Sequence, residues 1–151
     1  MRQIDIYIHT LTHSRGKGPA VYKSVLEFIK SNAEVCTLEV TGADKETTTN
    51  RITIEAAVMA LRRIKLNQPY EIRIHADSDY FARMLKATRV YAEHDWKTKA
   101  GKEIANVDLW KEIDIFKKTN HVTADNDLLD RYECKEELEE SLWKFTNWKN
   151  S

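Results

Sequence analysis

The amino-acid sequence predicts an α/β fold in which a mixed sheet carries helices on both faces. Three features of the chain lead there. Three strand-like segments come first, helices and strands alternate after them, and neither an internal repeat nor a Gly/Pro-rich linker divides the 151 residues. A chain of that length buries roughly two-thirds of its unfolded surface around one core, so residues 1–151 are expected to form a single domain.

Gln3 to Ile8 (QIDIYI) alternates polar and apolar side chains with period two, as a half-buried strand does, and ends at His9. A polar loop with Ser14, Gly16, Gly18 and Pro19 follows. AVYKSVLEFI then reads as a second strand and Glu34 to Val40 (EVCTLEV) as a third, with the hairpin-length SNA between them. The run TTTN at 47–50 offers caps for a helix in which Ile54, Val58, Leu61 and Ile64, with Ala57, recur at helical spacing; it ends near Lys65. Tyr70 to His75 (YEIRIH) is a fourth strand, and Ser78 caps a second helix reaching Lys86. Val90 to Ala105 is polar and basic without a clean period. Val107, Trp110, Ile113, Ile115 and Phe116 predict a third helix and NHVTA a short fifth strand. Leu128 to Trp148 predicts a long charged helix with an apolar stripe, pinned to the domain by Trp143 and Trp148.

With 42% hydrophobic and 32% charged residues, four Gly and two Pro, the composition excludes disordered and collagenous classes. No apolar run reaches the roughly 20 residues of a membrane span, and the polar start lacks a signal-peptide stretch, so a cytoplasmic protein is expected. Cys36 and Cys134 show no metal-ligand spacing and read as reduced thiols. Net charge is zero, but residues 1–124 carry +4 and residues 125–151 carry −4. A weakly basic body with an acidic tail is not a strongly electrostatic nucleic-acid binder.

Four segments share an order and spacing with a known family. IDIYIH leads through a glycine-bearing loop to GPAVYKSVLEF, TTTNRITIEAAVMAL, EIRIHADSDYF and WKTKAGKEIANVDLW. Over residues 3–118 the chain resembles the type 1 ribonuclease H family, most specifically at Trp96, Asn106, Asp108 and Trp110. The resemblance implies a five-stranded mixed sheet of order 3-2-1-4-5 with the active site at the ends of the first and fourth strands. It implies hydrolysis of the RNA strand of an RNA/DNA hybrid by four carboxylates holding two Mg²⁺. In-line attack of water on a phosphodiester needs two such ions about 4 Å apart, and hard Mg²⁺ takes oxygen ligands.

Matched residue by residue, the family's first carboxylate falls on His9 and its second on Thr53. Glu55 does not replace Thr53, because two residues advance a helix by about 200°. The third falls on Asp77, which is also placed to cap the helix begun at Ser78. The fourth opens the last helix, where Asp130 is the candidate and Asp125 and Asp127 compete. His9 with Asp77 reads as a metal pair. Imidazole nitrogen favours Mn²⁺, Zn²⁺ or another transition ion, with Mg²⁺ weak.

Thr48, Thr49 and Asn50 fall where the family contacts the hybrid, and they also suit helix capping. Arg15, Lys17, Lys97, Lys99 and Lys102 are loop cations suited to phosphates. Tyr80 stands at the family's site wall. The expectation is a divergent or degenerate ribonuclease H-like protein that binds nucleic acid, with weak or absent metal-dependent hydrolysis. The alternative is a protein-interaction module working through the acidic last helix.

Overall fold

The structure, a computed structural model, describes residues 1–65, 68–126 and 130–147. Nine elements follow the predicted order: β1 (Arg2–Thr12), β2 (Gly18–Ile29), β3 (Val35–Thr47), α1 (Thr49–Leu61), β4 (Tyr70–Ala76), α2 (Asp79–Glu93), α3 (Val107–Thr119), β5 (His121–Asp125) and α4 (Lys135–Asn147). The sheet order is β3-β2-β1-β4-β5. β1, β2 and β3 pair antiparallel, while β4 runs parallel to β1 and β5 parallel to β4.

The period-two pattern assigns the two faces of the sheet. Ile4, Ile6 and Ile8 on β1 sit opposite Ile72, Ile74 and Ala76 on β4, all buried in the core that α1, α2 and α3 cover. α1 lies close because Ala56, Ala57 and Ala60 are fully buried, and Ser24 donates to the Ala56 carbonyl at 3.0 Å. The odd-numbered residues of β1 face the other side, where α4 packs. Val21 and Leu11 there meet Cys134, Leu138, Leu142 and Phe145. Lys23, 8% exposed, ties α4 to the sheet by bonding Glu137 at 2.7 Å and Glu39 at 3.2 Å.

Several boundaries differ from expectation. β1 and β3 run on to Thr12 and Thr47, because pairing continues past the alternating stretch as far as Thr12↔Ala20 and Gly18↔Thr47. α1 ends at Leu61 rather than near Lys65. α2 passes Lys86 and reaches Glu93, held by the buried Thr88 and by an Arg89–Asp114 ion pair at 3.0 Å. The last helix opens at Lys135, since Tyr132 takes a left-handed φ of 60° that no helix continues through. Leu128, Asp127 and Trp148 lie outside the described residues. Trp143 does not pin α4, being 63% exposed; Leu138, Leu142 and Phe145 do. Cys36 and Cys134 are both free thiols.

Candidate active-site cleft

Parallel pairing of β1 and β4 brings Ile8 beside Ala76, so His9 and Asp77, the residues that follow them, line one cleft. A cleft of about 340 Å³ opens there. Its walls are the ends of both strands, the first turn of α1 and the start of α4. His9, Thr10, Thr49, Thr53, Asp77, Glu133 and Lys135 give it polar groups, and Ile8, Leu11, Ala76 and Leu138 line the rest.

Each polar group has a defined local state. The Arg131 carbonyl, which can only accept, lies 3.2 Å from His9 Nε2. Nε2 therefore donates to that carbonyl, and Nδ1 has no hydrogen-bond partner among the described residues. Thr53, 4% exposed, donates to the Thr49 carbonyl at 2.8 Å, which holds its side chain against α1. Asp77 is exposed just before Ser78, whose Oγ accepts from Phe81 N at 3.0 Å; Ser78, and not Asp77, caps α2. The Glu133 carboxylate accepts from the Lys135 backbone N–H. The Lys135 ammonium makes no ion pair among the described residues.

The structure thus gathers His9, Thr53 and Asp77 into one cleft and leaves Asp130 out of it. Asp130 is exposed in a turn five residues before α4, and the residue that opens the helix is Lys135. Asp125 is committed elsewhere, on β5 against His75. Glu55 points to β3, where burial and the nearby Asp44 charge raise its carboxyl above the ordinary value.

Beneath the cleft, on the α4 side of the sheet, lies a group that sequence reasoning missed. His75 is 1% exposed, and its two ring nitrogens meet Asp5 Oδ1 and Asp125 Oδ1, each at 2.8 Å. Tyr7 stacks on the ring at 4.6 Å. Burial, then the Glu27 and Asp5 charges, push the Tyr7 phenol up to about 12. The trio bridges β1, β4 and β5 two residues before Asp77.

The nucleic-acid candidates fall in three places. Thr48 Oγ1 accepts from Arg51 N at 3.1 Å as the N-cap of α1, Thr49 lines the cleft, and Asn50 is exposed. Arg51 grips Asp108 with both guanidinium nitrogens, at 2.7 and 3.0 Å, and this holds the Asp108 carboxyl below its ordinary value. Asn106, left-handed at φ 61°, donates to the Tyr80 hydroxyl at 3.2 Å. Two motif segments are thereby bolted together. Lys17 pairs with Glu46 at 3.8 Å on the β2–β3 side, while Lys97 and Lys99 border a separate cavity of about 750 Å³ beside α2.

A five-stranded 3-2-1-4-5 sheet with its cleft at the β1 and β4 ends is the ribonuclease H-like fold. The sequence matches the RNase H family over residues 14–125, well over half its length, and the chain belongs to that family. It is 36% identical to a ribonuclease H of Francisella philomiragia over 86 residues, 56% of this chain and 55% of that protein. The chain thus spans about half the length of that relative. Among solved structures it is similar to LC9-RNase H1, a type 1 RNase H with the type 2 active-site motif, with TM-score 0.70, 18% identity and coverage of 95% of this chain and 72% of that one. It also resembles foamy viral protease-reverse transcriptase in complex with an RNA/DNA hybrid, with TM-score 0.62, 14% identity and coverage of 82% and 17%.

The RNase H family in general uses divalent metal ions. The donor set here does not fit a pair of Mg²⁺. The cleft offers the Asp77 carboxylate, an imidazole, a threonine hydroxyl already bonded to backbone, and an ammonium; Glu133 is occupied at the α4 terminus. Among the described residues no three His, Cys, Asp or Glu side chains are grouped to hold an ion. No described helix is long and apolar enough to cross a membrane.

Proposed function

We propose that this protein is a degenerate ribonuclease H that binds the backbone of an RNA/DNA hybrid and hydrolyses it slowly or not at all. The observation that carries this reading is the company Asp77 keeps: His9, Thr53 and Lys135 share its cleft where the two-ion reaction needs anions. Replacing carboxylates by neutral and cationic groups removes the negative charge that would offset two dications, and each lost contribution of 1.36 kcal/mol costs tenfold in rate. The hybrid grip rests on Thr48, Thr49 and Asn50 at the start of α1, with Lys17, Lys97 and Lys99 on flanking loops. Short hydroxyl and amide groups suit sugar 2′-OH and phosphate oxygens.

The arrangement also leaves His9 Nδ1 and Asp77 as a two-donor site that suits a transition ion better than Mg²⁺. Binding of a fluorescent RNA/DNA hybrid at 50 and 200 mM salt tests the reading. A weak complex with a shallow salt slope, few phosphates being neutralised, supports it, and a preference for hybrid over double-stranded DNA supports the assigned substrate. Absence of binding to either would refute it.

A further inference from the structure

We infer that Lys135 makes the cleft a metal-independent phosphate site: its ammonium, with His9 across from it, contacts a backbone phosphate of the nucleic acid directly. The inference rests on the hybrid-binding reading above and goes beyond it by naming the residue that holds the phosphate and the ion that is not needed. Three observations support it.

Lys135 lines the cleft that Asp77, His9 and Thr53 share, and it is the residue with which the last helix begins. It is a cation at a place where the family resemblance implies an anion. Second, the side chain is uncommitted. Of the lysines near α4, Lys23 is spent on Glu39 and Glu137 and Lys144 on Glu140, whereas Lys135 has no ion-pair partner among the described residues.

Third, the anions around it leave room for a phosphate. Glu133 is turned back onto the Lys135 backbone N–H, and Asp77, which lines the same cleft, lies beyond ion-pair distance of the ammonium. His9 lines the same cleft, and its Nδ1 has no hydrogen-bond partner among the described residues. In a two-ion site, a metal bridges protein carboxylates to phosphate oxygens, and two anions meet only through the metal. With an ammonium as the wall, protein and phosphate attract each other without an intermediary. The shared chemistry is that of a phosphate oxygen, whether on a polymer or free.

The test measures anisotropy of a labelled RNA/DNA hybrid with the full chain, in EDTA and separately in Mg²⁺, for wild type, Lys135→Gln and Lys135→Arg. Lys135 is exposed, so both variants are expected to fold, and a thermal melt verifies this. The expected result is equal affinity with and without Mg²⁺. Lys135→Gln should weaken binding about tenfold at low salt, as for one charge-assisted hydrogen bond lost, and reduce the salt slope by about one. Lys135→Arg should retain both. A competition arm with inorganic phosphate separates the sources. Displacement only at tens of millimolar assigns the site to the polymer, as inferred, and displacement at micromolar phosphate would overturn that assignment. Binding that needs Mg²⁺, or that ignores Lys135→Gln, would overturn the inference and leave hybrid binding standing. Absence of hybrid binding in every condition would remove both.

Discussion

Replacing His75 by Phe isolates the bridge on which the cleft stands. Phe keeps the ring that stacks on Tyr7 at 4.6 Å and removes both nitrogen contacts to Asp5 and Asp125. A hydrogen bond to a charged group is worth about 1.5–3 kcal/mol. The Asp125 side chain is 38% exposed and re-solvates readily; that of Asp5 is 17% exposed and does so less well. Taking the lower value for each contact gives a loss of about 3 kcal/mol. For a domain of this size each kcal/mol lowers Tm by about 2–4 °C, so the transition should fall by about 10 °C. Urea denaturation followed by far-ultraviolet circular dichroism measures the free energy with the slope as a check that the same surface unfolds. His75→Ala adds a cavity and should cost more. A His75→Phe variant within about 0.5 kcal/mol of wild type would mean instead that the three strands are held by the apolar ladder alone.

Other consequences follow from individual residues. A phenol held at about 12 when folded and at its ordinary 10.0 when unfolded favours the folded state below pH 10. Stability should therefore decline between pH 10 and 12 by about 2–3 kcal/mol, and Tyr7→Phe should remove that decline in alkaline melts. Asp108 works in the opposite sense. Its carboxyl is lowered by Arg51, so its contribution is present above the ordinary value of 3.8 and lost as pH falls through the depressed one. The side chain is 61% exposed, so Asp108→Asn should cost under about 1 kcal/mol at pH 7, with the gap closing in acid melts. Finally, His9→Asp, Thr53→Glu and Lys135→Asp combined should raise Mg²⁺-dependent hybrid cleavage, while single changes should not; equal activity in the single variants would contradict the shared-cleft geometry.

The fold was legible because its signals are local. QIDIYI and YEIRIH alternate with period two, and those strands form the parallel centre of the sheet. The N-caps predicted at TTTN and Ser78 are where α1 and α2 begin. The convergence of His9, Thr53 and Asp77 was legible through motif spacing. Lys135 was not, because charge and apolar periodicity run unbroken through 130–147 in the sequence and hide where the helix starts. The acidic Glu136 and Glu137 mark a first helical turn and were the available signal. His75 was hidden for a different reason. Alternation puts it on the polar face with Glu71 and Arg73, and its burial comes from tertiary contacts with Asp5, Asp125 and the stacked Tyr7. Trp143 misled because a large aromatic on an amphipathic helix usually faces the core, whereas here Leu138, Leu142 and Phe145 fill that face.

Single-turnover cleavage of an end-labelled RNA/DNA hybrid by excess protein bears most directly on the claim that the cleft has lost its two-ion chemistry. It should be run in Mg²⁺ and in Mn²⁺, with Asp77→Asn as the control. Cleavage in Mg²⁺ should be slow or undetectable, and any activity in Mn²⁺ should disappear on Asp77→Asn. Robust Mg²⁺-dependent cleavage by the wild type, abolished in Asp77→Asn, would contradict it.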